Sequence, residues 1–131
     1  MKRIQTALIA AMTLAVTGAA AVTAPAAAQR PNPYVQRMLS LGDLQRRAVL
    51  RQALADSGQR CGRVDPSIHK GPFHNLEMFA VRCTPGGDFG VFIGPDGTAQ
   101  VRSCADLATL KLPTCGLPPA PPPAARRAGG R

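Results

Sequence analysis

Four cysteines, Cys61, Cys83, Cys104 and Cys115, lie between positions 61 and 115 of a chain of 131 residues, and no two are closer than eleven positions. An even number at such spacing, in an oxidising compartment, predicts two disulfides drawn from three possible connectivities. The spacing also excludes chemistries. No Cys-x-x-Cys occurs, so a thioredoxin-type redox pair, a zinc ribbon and a c-type haem attachment all lack their ligand geometry. The cysteines therefore read as structural cross-links.

The N-terminus predicts the compartment that this reading needs. Lys2 and Arg3 form a short positive region, Ile4 to about Val22 is an apolar run rich in Ala, and Ala26, Ala27 and Ala28 supply the small residues that a signal peptidase accepts. Residues 1–28 thus read as a cleavable signal peptide, with Gln29 as the new N-terminus. The run approaches the roughly 20 residues that span a bilayer, but its Ala-rich composition and the Pro25 exit fit cleavage better than retention. The absence of a twin arginine predicts export of an unfolded chain, and no cofactor is expected. The expected location is periplasmic or secreted, with no transmembrane span after cleavage.

Cleavage removes two of the sixteen basic residues and none of the seven acidic ones, leaving fourteen against seven. One Tyr, four Phe and no Trp give a small domain few large core residues, a shortage that exported chains offset with disulfides. Residues 29–116 are read as one small α+β domain. Residues 117–131, with five prolines and no apolar period, are read as a disordered basic tail.

Within the domain, Asn32-Pro33 predicts a helix start: Asn caps an orphan backbone N–H, and Pro at the first helical position sacrifices no bond. Good helix formers run from there to Ser57, interrupted by Gly42-Asp43, which leaves one helix or two open. Val35, Met38 and Leu39 recur at helical spacing, Leu50, Ala53 and Leu54 share a second face, and Gly58 is placed as a C-terminal cap.

From Cys61 onward the period becomes two. Phe79, Val81 and Cys83 alternate with Met78, Ala80 and Arg82, and Phe89, Val91 and Ile93 alternate with Gly90 and Phe92. Turns are expected at Thr84–Asp88 and at Gly94–Thr98, the latter pairing Ile93 with Ala99, Val91 with Val101 and Phe89 with Ser103. A first hairpin around Gly71-Pro72 would set Cys61 opposite Cys83. Val64 and Ile68 then fall on the wrong face unless a bulge intervenes near Asp65-Pro66. Residues 105–111 are expected to form a short helical turn, with Cys115 returning to Cys104. The favoured pairs are Cys61–Cys83 and Cys104–Cys115. The fold class is α+β: one or two N-terminal helices packed on a three- to four-stranded antiparallel β meander, disulfide-tied.

Catalytic signals are sparse. His69 and His74 are the only histidines, with Asp65 and Glu77 as nearby acids in no recognised metal spacing, and they read as exposed loop residues. Ser67 sits in no nucleophile elbow, and Asp88 and Asp96 read as turn residues that bond their own backbone. No metal site and no enzyme is expected. The charge carries more direction, because Arg46, Arg47 and Arg51 on the second helical piece and Arg126, Arg127 and Arg131 in the tail are candidate contacts for an anionic partner. Arg outnumbers Lys thirteen to three beside abundant Ala, Pro and Gly, a bias that a GC-rich genome also produces. Nucleic acid is a poor partner for an exported chain without an aromatic platform.

The stretch Cys83–Ile93 followed by Pro95–Ala99 resembles the strand-turn-strand opening of periplasmic inhibitors of c-type lysozyme. The resemblance covers a small part of the chain. It implies a β barrel where this chain begins with helices, so no residue role is carried over. Two functions are therefore expected in competition: a small exported, non-enzymatic binding protein for an anionic envelope component or a periplasmic protein, and an inhibitor of an envelope-directed hydrolase such as lysozyme.

Overall fold

Asn32 anchors the first helix twice over. Its side-chain oxygen accepts from the backbone N–H groups of Tyr34 (3.0 Å) and Val35 (3.3 Å), and its amide donates to the carbonyl of Ile93 at 3.1 Å. One buried polar residue thus caps the helix and ties it to the sheet, with every hydrogen-bonding atom of its amide group engaged. The computed structural model describes residues 29–122. The expected signal segment and the tail arginines Arg126, Arg127 and Arg131 lie outside the described residues.

The elements run α1 (Pro33–Ser40), α2 (Asp43–Asp56), β1 (Arg63–Phe73), β2 (Leu76–Thr84), β3 (Gly87–Ile93) and β4 (Ala99–Ser103). The four strands form one antiparallel sheet in sequence order, so the expected α+β class holds with two helices. The helical run breaks at Leu41-Gly42, where the Gly42 N–H donates to the Gln45 side chain. α2 ends on Gly58 at φ +77, with Gly58 N–H bonded to Ala55 and Gln59 N–H to Leu54. That double closure needs a left-handed residue, which glycine adopts without strain.

Val35, Met38, Leu50 and Leu54 pack on Val64, Phe79, Val81, Phe89, Val91 and Ile93, forming the core between helices and sheet. The β3–β4 register is the expected one: Ile93 with Ala99, Val91 with Val101, Phe89 with Ser103. The first hairpin is corrected. Its turn is His74-Asn75, closed by Phe73 opposite Leu76, rather than Gly71-Pro72. Val64, not Cys61, lies opposite Cys83, because a bulge at Asp65-Pro66 and a second at Lys70 shift the register along β1. The first bulge brings Val64 into the helix-side core beside Cys83, while Ile68 stays on the opposite face, opposite Ala80.

Both favoured disulfides are present, Cys61–Cys83 with Cα atoms 5.1 Å apart and Cys104–Cys115 with 5.8 Å. The second closes a strap that the expectation of helices on one apolar sheet face did not include. Residues 104–117 cross the other face, and Leu107 packs fully buried on Met78, Ala80 and Phe92, with Leu112 and Leu117 beside them. Residues 104–111 form consecutive turns that include the expected single helical turn without continuing into a helix. They are held by Leu110 N–H to Asp106 and Leu112 N–H to Leu107. Leu117, where the extended tail was expected to begin, is half-buried against this second core. Both sheet faces therefore carry packed elements, and among the described residues β1 and β4 are the edge strands.

Candidate functional site

The three helix arginines divide into two kinds. Asp43 opens α2, and its carboxylate reaches forward to Arg46 (3.3 Å) and Arg47 (2.8 Å), one turn on, where an acid near a helix N-terminus is favoured. Arg47 is held from the other side by Asp65 of β1 at 3.1 Å. Arg46 also approaches the carbonyl of Leu41. These two guanidiniums are spoken for by carboxylates, and the Arg47–Asp65 pair ties α2 to β1.

Arg51, one turn beyond Arg47, pairs with no acid among the described residues. Its Nε donates to the backbone carbonyl of Cys61 at 3.1 Å, and its two terminal nitrogens make no hydrogen bond among the described residues. Beside it, between α2 and the start of β1, is a shallow cleft of about 210 Å³. Arg47, Arg51 and Arg63 line it over the small residues Ala48 and Gly62, and no carboxylate does. A planar guanidinium with both terminal nitrogens free matches the two oxygens of a carboxylate, phosphate or sulfate. Arg63 is exposed and forms no ion pair among the described residues.

The structure thus brings Arg47 and Arg51 together and leaves Arg46 outside the cleft. Arg63 completes the group, although the helix period alone did not select it. Its signal was its position two residues after Cys61, whose disulfide fixes that stretch next to α2. The tail arginines lie outside the described residues.

His74 is an exposed turn residue as expected, whereas His69 departs from the expectation of a loop residue. His69 lies within β1, where its Nε2 meets Glu77 Oε2 of β2 at 2.7 Å as a diagonal cross-strand pair, and its ring leans on Phe79 with centroids 4.9 Å apart. His74 occupies the hairpin turn and lines a cleft of about 340 Å³ with Arg30, Asn32 and Glu77. The Ser67 hydroxyl is buried without a partner, out of reach of a substrate. Among the described residues no group of three or more His, Cys, Asp or Glu is arranged to hold a metal ion.

Asp88 is corrected from a turn residue to a strand residue of β3: opposite Arg82, it takes two hydrogen bonds from that guanidinium at 2.8 and 2.9 Å. Asp96 keeps its turn role. Its carboxylate accepts from the Thr98 hydroxyl (2.7 Å) and the Thr98 N–H (3.1 Å), which hold its pKa below the usual aspartate value.

What the fold and cleft define is a disulfide-tied α+β domain with an arginine-lined surface cleft. No protein-family model matches the chain, and neither a curated protein nor a solved structure does.

Proposed function

We propose that the chain is a small exported, non-enzymatic binding protein that recognises anionic groups of an envelope component through the Arg47–Arg51–Arg63 cleft. The observation that carries this reading is the Arg51 guanidinium, fixed at Nε and free at both terminal nitrogens among the described residues, in a cleft it shares with Arg63 and with Arg47, whose own terminal nitrogens are held by Asp43 and Asp65. Fixing the donor before a ligand arrives lowers the ordering cost of binding it. Closure of all four cysteines into two disulfides supports an oxidising compartment. No helix among the described residues is long and apolar enough to cross a membrane.

The test is co-sedimentation with phosphatidylglycerol vesicles against phosphatidylcholine vesicles over a salt series. Retention on the anionic vesicles alone, weakening with salt and lost in Arg51→Ala/Arg63→Ala but kept in Arg46→Ala, is the expected result. Retention indifferent to salt and to the double substitution overturns it. A parallel Arg126→Ala/Arg127→Ala/Arg131→Ala variant separates the tail's share from that of the cleft.

The inhibitor of an envelope-directed hydrolase is the second reading, favoured by the Gly94–Thr98 turn. That turn is exposed from Pro95 onward and braced by Gly94 N–H to Thr98, Gly97 N–H to Gly94 and the Asp96 contacts. The Thr84–Gly87 turn lies at the other end of β3, about 20 Å away along seven strand residues, so a single hydrolase cleft takes one turn or the other. Undiminished lysozyme activity at saturating protein removes this reading for that enzyme.

A further inference from the structure

Among the described residues, no strand pairs with the outer edge of β4. Gly94 N–H bonds Thr98 and Cys104 N–H bonds Asp88, which sets the alternation of the antiparallel ladder between them. Gln100 and Arg102 therefore exchange hydrogen bonds with β3, whereas the N–H and C=O groups of Ala99, Val101 and Ser103 point away from it. The Ser103 carbonyl is taken by Asp106 N–H; those of Ala99 and Val101, and their N–H groups, have no partner among the described residues. Sheet edges are commonly guarded by Pro, bulges or several charges. This one has a single charge, Arg102.

Beside that edge, on the helix side, is an apolar groove of about 280 Å³ between α1, α2 and the β3–β4 hairpin. Tyr34, Met38, Val49 and Ile93 line it together with Ala99, and Arg37 is its only charged residue. Tyr34 and Val49 are 50% and 43% exposed, large apolar surfaces left uncovered at the lip. Ala99 joins the two features, since its side chain lines the groove while its backbone groups face the open edge.

We infer that this edge and groove dock an extended peptide, added to β4 as a fifth strand, with one Leu- or Phe-sized side chain in the groove and an acidic neighbour beside Arg37. Main-chain pairing supplies affinity in this mode and the pocket supplies specificity. The volume suits one such side chain, because a cavity of about 150 Å³ already holds a benzene ring. Other occupants fit less well. A second copy pairing through its own β4 brings no side chain larger than valine from the Ala99–Val101–Ser103 face. The chain's own tail has Pro at 118, 119, 121, 122 and 123, which removes the donors an added strand needs. The site is separate from the arginine cleft.

The experiment titrates the full chain with a fluorescein-labelled peptide, Thr-Glu-Leu-Thr-Val-Thr. Its controls are the same peptide N-methylated at alternate amides and a version with Lys in place of Glu. Saturable binding is expected, weakened about tenfold or more by N-methylation, weaker for the Lys version, and accompanied by amide NMR shifts at Ala99 and Val101. Ala99→Pro deletes only an outward N–H and should weaken binding similarly, while Ala99→Ser, which keeps it, should not. Val49→Glu at the groove lip provides a second handle should the proline variant fold poorly. Equal affinity for methylated and unmethylated peptides, no binding at millimolar peptide, or a protein dimer that Ala99→Pro dissolves each overturns the inference.

Discussion

Arg51 Nε donates to the carbonyl oxygen of Cys61 at 3.1 Å, so a disulfide-anchored backbone group aims a helix side chain. The bond uses the one guanidinium nitrogen that leaves the terminal fork intact. Lysine at this position keeps the charge but has no Nε–H to tether and no fork to offer. Arg51→Lys is expected to lower anionic-vesicle affinity by about tenfold, the scale of one charge-assisted hydrogen bond. Arg46→Lys should leave it unchanged, because Arg46 is engaged with Asp43 outside the cleft. Equal loss in the two variants, read by co-sedimentation, would assign the effect to net charge alone.

On the proposed anion binding, the same relationship is expected to make the two disulfides unequal in function while similar in stability. Their sequence separations are 22 and 11 residues. Chain-entropy scaling gives each about 3 kcal/mol, with the longer loop slightly ahead. Urea unfolding of Cys61→Ala/Cys83→Ala and Cys104→Ala/Cys115→Ala should show comparable losses. Only the first pair should also weaken anion binding under conditions where both variants are folded. Loss of binding in the second variant alone would break the link between Cys61 and the cleft.

Much of this architecture was legible because short-range signals agreed with one another. Asn32-Pro33, Gly58 and the Gly94–Thr98 turn each act within a few residues, and the turn register also aligned the apolar faces of β3 and β4. The first hairpin misled because Gly71-Pro72 looks like a turn, whereas in the structure Gly71 follows a bulge within β1 and the chain reverses at His74-Asn75. The Arg47–Asp65, His69–Glu77 and Arg82–Asp88 pairs depend on where strands and helix meet, which no local period encodes. For the same reason the sequence placed arginines on α2 but not Arg63 beside them.

The strap over the second sheet face was the larger omission, and its most deeply buried side chain is Leu107. Leu107 has no exposed surface and packs on Met78, Ala80 and Phe92. Leu107→Ala should cost about 2–5 kcal/mol, the range for emptying a leucine site in a packed core. Leu110→Ala, three residues on and 50% exposed, should change stability by less than about 0.5 kcal/mol. Urea midpoints of the two variants check the contrast. A Leu107→Ala variant as stable as the parent would mean that the strap does not seal this face.

Asp96 gives the domain an acid-sensitive element whose sign is fixed by its partners. Hydrogen bonds from the Thr98 hydroxyl and then the Thr98 N–H favour the carboxylate, so its folded pKa lies below the ordinary value of 3.8. A carboxyl with a depressed folded pKa contributes stability that is complete above its unfolded pKa. That stability is lost as pH falls below 3.8 and through the folded value. Asp96→Asn keeps an acceptor for Thr98 but removes the ionisation. The parent should therefore be the more stable protein near neutrality, and the gap should close with acid. Urea midpoints of both proteins between about pH 6 and about pH 2 measure this difference, with the remaining carboxylates common to the two chains and cancelling. A gap that stays constant across the series would place no titration at Asp96. The Gly94–Thr98 turn would then be braced by its backbone bonds and by Tyr34 packing on Gly97. A Cβ at Gly97 would sit 2.8 Å from the Tyr34 ring.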